Sequence, residues 1–361
     1  MRPATLSDRA LNRATLARHH LLERTPLDVP AAVEHLVGLQ AQEPRDPYVT
    51  LWSRIDGFRP EELEGLIEGR KAVRMTLMRG TLHLVTDRDC LALRPAMQTV
   101  CERLFWSGSP FGKQLRDVDV DAVVAAGRAH LAKEPLTRSQ LKALLAERWP
   151  DADADSLTYA VAYLVPLVQV PPRGLWSRSG RATLTTADSW LGRRVKHSAK
   201  PDDAVRRYLA AFGPASVKDI ATWSGLTGVR EIVERLAKGL RTFRDEDGVE
   251  LFDVPDAPLA DPATPAPVRF LAQYDNVFLS HADRSRIVEP ADRPQFGSWD
   301  GRFFRIVLVG GFIRAIWLPE DGDIVVKPVR RLSKKDTAAV EAEGRRLAAF
   351  IGAGDVRILP S

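Results

Sequence analysis

The segment HLVGLQAQEPRDPYVTLWSRI sets two glutamines, Gln40 and Gln42, just ahead of two carboxylates, Glu43 and Asp46, and between Gly38 and Pro44. A glutamine takes up no proton at neutral pH. It offers one carbonyl acceptor and two N–H donors, so the chemistry open to such a pair is orientation of a water or a polar group and not proton abstraction. A helix approaching Gly38 must end before Pro44, because the residue preceding a proline is pushed out of the helical region. In extended backbone, positions two apart point the same way, which aims both amides into one cavity; on a regular helix they diverge by about 200°. Taken alone, polar residues that close a helix fit an exposed terminus equally well.

Other recognisable chemistry is missing from the sequence. It holds no G-x-x-x-x-G-K-S/T, no G-x-G-x-x-G after a strand, no G-x-S-x-G and no H-E-x-x-H, so phosphate cradles and zinc hydrolysis have no support. His19 and His20 have no carboxylate at ligand spacing and read as partly exposed surface groups. Cys90 and Cys101 make neither a metal pattern nor a disulfide framework and read as buried thiols of a reducing compartment. No metal and no cofactor is expected. With 361 residues, 45% hydrophobic and 27% charged, the chain suits several packed modules and not a disordered polymer. No apolar run reaches the roughly 18 residues of a membrane span, and the opening MRPATLSDRALNRATLARHHLLE lacks a signal peptide's apolar core, so a cytoplasmic monomer is expected. A net charge of +5 permits a nucleic acid partner without demanding one.

The elements that must position these residues follow from periodicity and caps. Between Pro201 and Pro258, a helix with Val205, Tyr208, Leu209 and Phe212 stops at Gly213-Pro214. Ser216 and Asp219 cap a second helix, and a third carries Ile232, Val233 and Leu236. Two strands then flank Asp247-Gly248. Helix, helix, turn, helix and hairpin make a winged helix. The order recurs upstream, where Thr137 with Gln140 forms a capping box and PPRGLWSRSGR reads as a wing between LVQV and ATLTTA. It recurs again in the helices LNRATLARHHLLE, PAAVEHLVGLQ and PEELEGLIEGR and the strands around VRMTLMRGTLHLV. Beyond a proline-rich connector, alternating segments and the Gly310-Gly311 turn predict a small β-barrel closed by the helix KKDTAAVEAEGRRLAAFIG, buried through Ala338, Val340, Leu347, Phe350 and Ile351. The expected fold is mainly α with β, tandem winged-helix modules at 1–115, 116–198 and 199–258 followed by a barrel-like domain at 259–361.

Four stretches, LQAQEPRDPY, RGTLHLV, PPRGLW with the following RSG, and YDNVFLSHADRSRI, resemble the AlkZ-like family of winged-helix DNA glycosylases and its YcaQ-like relatives, nearly from end to end of the chain. The AlkZ-like branch carries glutamine, any residue, glutamine at its active site, which Gln40-Ala41-Gln42 fits; the YcaQ-like branch has aspartate in the last place. The resemblance implies a monofunctional glycosylase that cleaves the N-glycosidic bond of alkylated bases in double-stranded DNA, with Gln40 and Gln42 catalytic. Glu43 or Asp46 would assist, and three winged helices and a barrel would curve around the duplex. DNA contact is expected from Arg173, Trp176, Arg178 and Arg181 of the wing, and from Lys327, Arg330, Arg331, Lys334 and Lys335. His83 and the pair Asp275-Asn276, which alternate with apolar residues, read as structural.

Alkylation at N7 leaves a purine cationic, so the leaving base needs no proton, and placing a water behind the sugar is the help that remains. Two rival readings stay open at this level: a non-enzymatic winged-helix regulator, and a protein that sequesters DNA-damaging compounds. If neutral amides are the machinery, the site acts on cationic N7 or N3 lesions and leaves neutral bases alone. Excision of uracil by the purified protein would contradict that chemistry.

Overall fold

The computed structural model describes residues 3–292 and 304–360. Its strands are β1 (Ala4–Thr5), β2 (Leu39–Gln40), β3 (Ala72–Thr76), β4 (Leu82–Thr86), β5 (Leu136–Thr137), β6 (Leu167–Val170), β7 (Thr183–Thr186), β8 (Arg241–Arg244), β9 (Glu250–Asp253), β10 (Arg269–Phe270), β11 (Ile306–Val309), β12 (Phe312–Glu320), β13 (Asp323–Pro328) and β14 (Val356–Ile358). Helices interleave with them, so the fold is mixed α/β.

The caps read from the sequence are in place. Thr137–Gln140 and Ser216–Asp219 each form a reciprocal capping box, opening the helices Arg138–Arg148 and Val217–Ser224. The strands, however, join distant parts of the chain. β2, β4, β3, β6, β7 and β5 form one antiparallel sheet, in that order, in which Arg74 pairs with Gln169 and Met75 with Val168. The hairpin β3–β4 and the hairpin β6–β7 therefore share a sheet. Strand β3 would otherwise expose a row of unpaired N–H and C=O groups, and β6 covers it. At the other end of the chain's first unit, β1 pairs in parallel with β8, Ala4 opposite Phe243. The first residues thus belong spatially to the hairpin β8–β9, and Arg18 of the helix Asp8–Arg18 reinforces this with a buried ion pair to Asp253 at 2.8 Å.

The barrel expected at the C-terminal end is not closed among the described residues. Its strands run in the order β10-β11-β12-β13-β14 without the two edges meeting. The helix Lys334–Ile351 lies across the gap instead. Gly344 brings it so close that an added Cβ would lie 3.0 Å from Val356 of β14 and 3.2 Å from Phe270 of β10. The helix buries Val340, Leu347 and Ala348 in a core shared with Tyr48, Trp52, Leu63 and Trp317. Ala338, expected inside, is exposed. Its buried face includes Glu343, which bonds Arg24 at 2.7 Å.

Most relevant to the glutamines is how the chain reaches them. The helix Val29–His35 ends well before Leu39, and Val37 and Gly38 turn the backbone with φ of 54° and 92°. Only glycine fits at position 38, since a Cβ there would meet Val85 Cγ1 at 2.8 Å. Asn276 Nδ2 donates to the carbonyls of Leu36 (3.3 Å) and Gly38 (2.8 Å), and its neighbour Asp275 is locked to Arg54 in a fully buried pair at 2.7 Å. Such groups are strongly destabilising if only one partner is removed, because the other remains buried and unpaired. Substituting Gly38→Ala should lower stability by roughly 1–3 kcal/mol, from left-handed strain and the Val85 contact together. Chemical denaturation of the variant measures it, and an unchanged midpoint would show that the turn relaxes freely.

Candidate active site

Gln40 lies on β2, opposite His83 of β4, and the ladder continues as Ala41 donates its N–H to Leu82 O at 2.8 Å. Gln40 is buried, and its Oε1 accepts Arg79 Nη2 at 2.6 Å. Gln42 is exposed, and its Oε1 accepts the backbone N–H of Leu82 at 3.0 Å. Because both donors are N–H groups, they fix which end of each amide is oxygen. Each carbonyl keeps a second lone pair, and each amide has N–H groups for a further partner. Between the glutamines, the carbonyl of Ala41 accepts Arg74 Nη2 at 2.7 Å. Three successive residues are thus held by the one hairpin β3–β4.

The expectation that both amides enter a single cavity is not what the side chains do. Gln42 borders a cleft of about 390 Å³, together with Arg74, Arg138 and Arg173. Gln40 does not border it; its carbonyl is turned to Arg79. Arg79 was invisible to sequence reasoning, although it sits in RGTLHLV. It adopts φ 57°, a left-handed conformation that costs a non-glycine residue on the order of 1 kcal/mol. It also donates to the carbonyl of Trp223, so one side chain ties Gln40 to the helix Val217–Ser224. Burial pulls its pKa down to about 10, which leaves it charged at neutral pH.

The carboxylates differ. Glu43 is exposed beside the glutamines. Asp46, in the first turn of the helix Asp46–Trp52, is 2% exposed, and its Oδ2 has no hydrogen-bond partner among the described residues. Burial pushes its pKa up to about 7; Arg305 opposes this from 3.8 Å, and the backbone N–H of Tyr274 also opposes it. Desolvation wins because the ion pair is too long to repay it. His83 is buried; desolvation and then Arg79 bring its pKa down to about 3, so it is neutral and its Nδ1–H donates to Thr81 O at 3.0 Å. That fits the structural reading. His19, read as a surface group, is instead fully buried and edge-on to Phe212 at 4.6 Å.

Several residues chosen for DNA contact are otherwise engaged. Arg178 pairs with Glu68. Trp176 packs on Tyr48 and Phe350, each at 5.2 Å, with Arg45 over its ring at 4.7 Å. It is part of the joint between the loop 171–181 and the C-terminal helix and not a free wedge. Arg330 is neutralised by Asp292 and by Glu289 at 3.0 Å. Arg173 is half-buried and Arg181 exposed, and Lys327, Arg331, Lys334 and Lys335 make no ion pair among the described residues. Lys334 and Lys335 open a helix, where the macrodipole disfavours cations by roughly 0.3–1 kcal/mol each. No helix among the described residues is long and apolar enough to cross a membrane, and they contain no group of three or more His, Cys, Asp or Glu able to hold a metal ion.

Comparison with known proteins follows the same outline. A curated protein of Streptomyces sahachiroi named interstrand DNA cross-link repair glycosylase is 24% identical over 358 residues, spanning 93% of this chain and 94% of that one. The solved structure of the Streptomyces sahachiroi DNA glycosylase AlkZ superposes with a TM-score of 0.82 at 21% identity, covering 98% of this chain and 100% of that one. The family model described as DNA glycosylase AlkZ-like matches residues 33–350. By class the protein is therefore a DNA glycosylase. Within that class, the chain belongs to the AlkZ-like family.

A carboxyl whose folded pKa exceeds its unfolded value of about 3.9 gives stability that is complete below that value and is lost as pH rises through the folded one. For Asp46 the window runs from about 4 to about 7. Relative to an Asp46→Asn variant, the wild type should lose stability across that window, by up to roughly 1.4 kcal/mol per pH unit. Urea midpoints of both proteins at several pH values test it; parallel curves would show that Asp46 is not held protonated.

Proposed function

We propose that Gln40 and Gln42 are the catalytic residues of a monofunctional glycosylase that hydrolyses the N-glycosidic bond of cationic N7-alkylated purines in double-stranded DNA. Bulky natural-product adducts and interstrand crosslinks fall within this range, in base excision repair or self-resistance to a DNA-damaging toxin. The observation that carries the proposal is the locking of the Gln-Ala-Gln segment by Arg74, Arg79 and the Leu82 N–H. A neutral amide is useful to a reaction only if its orientation is set in advance, and these bonds set both. The curated relative's name, which specifies interstrand crosslinks, supports the same substrate class.

In this reading, a water held by the free lone pair of Gln42 attacks the sugar carbon C1′. The carbonyl of Gln40, outside the cleft that Gln42 borders, stabilises the positive charge that develops on the sugar. The C1′–N9 bond electrons pass to the cationic base, which leaves neutral, and the attacking water gives up its proton to solvent. Glu43, exposed next to Gln42, is the carboxylate able to assist that last transfer; Asp46, enclosed beneath Arg305, supports the loop. No acid is needed at the base, which agrees with a neutral His83 opposite Gln40.

We read the helices and hairpins of residues 1–115, 116–198 and 199–258 as three winged-helix modules, and 259–361 as the barrel-like unit behind them. DNA would lie against Arg173, Arg181, Lys327, Arg331, Lys334 and Lys335, which are those of the expected DNA-contact residues that make no ion pair among the described residues, with the protein a cytoplasmic monomer. Buried, unpaired Cys90 and Cys101 suit a reducing compartment.

The test is release of N7-methylguanine from duplex DNA, read as alkali-labile strand breaks. Gln40→Ala and Gln42→Ala should each slow single-turnover release about 10²-fold while DNA affinity changes little. Unchanged release by the folded double variant would remove the glutamines from the mechanism. Binding without release by the wild type would favour the regulator reading.

A further inference from the structure

The cleft of about 390 Å³ beside Gln42 is bordered by three guanidinium groups, those of Arg74, Arg138 and Arg173, and by no carboxylate among the described residues. Like charges repel, and the repulsion is felt most by the buried member, Arg74, which water does not screen. Nothing in the described structure compensates fully. Arg74 is 2% exposed, and it spends one nitrogen on the carbonyl of Ala41 while Nε and Nη1 have no partner. Burial, and then Arg173, pull its pKa down to about 10; Tyr48 and Glu43 act weakly the other way. Arg173 makes a single long bond of 3.3 Å to Gly180 O, and exposed Arg138 rests over the Tyr159 ring at 4.9 Å. Neither has an ion pair among the described residues.

The enclosure is built and not accidental. Gly174, at φ 97°, lies so close that a Cβ would meet Arg74 Nη1 at 2.8 Å, and its carbonyl is pinned by Tyr48 Oη at 2.9 Å. Only a glycine lets the loop close on the guanidinium, which keeps its charge out of bulk water at the border of the cleft. By contrast, another cleft of about 550 Å³, near the helix Asp8–Arg18, is bordered by Asp8, Asp219, Asp245 and Asp283 and suits no polyanion.

We propose that the cleft beside Gln42 is a phosphodiester subsite, where Arg138 and Arg173, backed by the buried Arg74, hold one backbone phosphate next to the nucleotide being excised. This rests on the reading that the chain acts on DNA, but not on the catalytic role of the glutamines. Since Arg74 also holds Ala41, the phosphate would be registered against the Gln-Ala-Gln segment through a single side chain. Phosphate contacts set the position of DNA on a protein without reading sequence, which suits an enzyme that must meet its lesion anywhere.

The probe is a duplex carrying a tetrahydrofuran abasic analogue, in which the phosphates flanking the analogue are replaced one at a time by neutral methylphosphonate. Binding is followed by fluorescence anisotropy. For the wild type, one position should weaken binding about tenfold, the worth of a lost charge-assisted contact. Arg138→Ala and Arg173→Ala should each weaken binding to the natural duplex, lower the salt slope by about one, and respond less than about threefold to methylphosphonate at that position. Arg74→Lys, with thermal unfolding checked, keeps the charge but loses the planar fork, so it should weaken binding with little change in salt slope. Equal response at every position, or full retention of the penalty in both alanine variants, would overturn the subsite alone. A wild type that binds none of the duplexes would overturn the DNA-directed reading as well.

Discussion

Everything near the glutamines depends on Leu39 and Gln40 being held as a strand against β4, with Gly38 turning the chain into it and Ala41 carrying it on. The ladder registers Leu39 on Leu84 and Gln40 on His83, and passes on through Ala41 N–H to Leu82 O. If that register slipped by one residue, Gln40 and Ala41 would exchange faces, and Arg79 would meet a methyl group. A strand of two residues has little stability of its own. It persists because side chains from elsewhere close both ends: Asn276 holds Leu36 and Gly38 from the C-terminal region, and Arg74 and Arg79 hold Ala41 and Gln40 from the hairpin. The Arg54–Asp275 pair beneath Asn276 makes that support stiff.

Buried arginine is the recurring device. Arg18, Arg54, Arg74 and Arg94 are almost wholly enclosed, and each reaches across a large sequence separation or onto a helix end. A planar guanidinium with several donors can satisfy backbone carbonyls that no regular ladder reaches, while its charge demands a partner. Where Asp253 or Asp275 supplies that partner, the result is a rigid joint. Where none is supplied, as at Arg74, two of the guanidinium nitrogens stay without a partner among the described residues beside the Gln-Ala-Gln segment. The cost is borne by burial of apolar surface in the shared cores, one of which joins Tyr48, Trp52, Trp176, Phe350 and Trp317 from distant parts of the chain.

That same sharing explains why the basic residues of the loop 171–181 divide as they do. PPRGLWSRSGR looked uniformly cationic because its acidic partners are remote: Glu68 for Arg178, and Glu64 for the Ser177 N–H, both on the helix Pro60–Glu68. Packing of Trp176 into the joint brings them together. The loop is therefore part interface and part open surface, with half-buried Arg173 and exposed Arg181 making no ion pair among the described residues.

What the sequence by itself determined is local. Capping boxes at Thr137 and Ser216, the turns at Gly225 and Gly248, the hairpins and the closing helix all depend on residues within a few positions of one another, and steric and hydrogen-bonding rules of that range were enough. The Gln-x-Gln spacing and its family likeness were equally legible. Only the tertiary structure decided what is remote. It fused the first two hairpins through β3 and β6, it joined β1 to β8, and it left the C-terminal sheet open under a helix that Gly344 brings close. It also enclosed His19 and turned Gln40 to Arg79. Strand order, charge pairing and burial are set by which surfaces meet when apolar area is removed from water. That free energy is summed over the whole chain and leaves little trace in any short stretch of it.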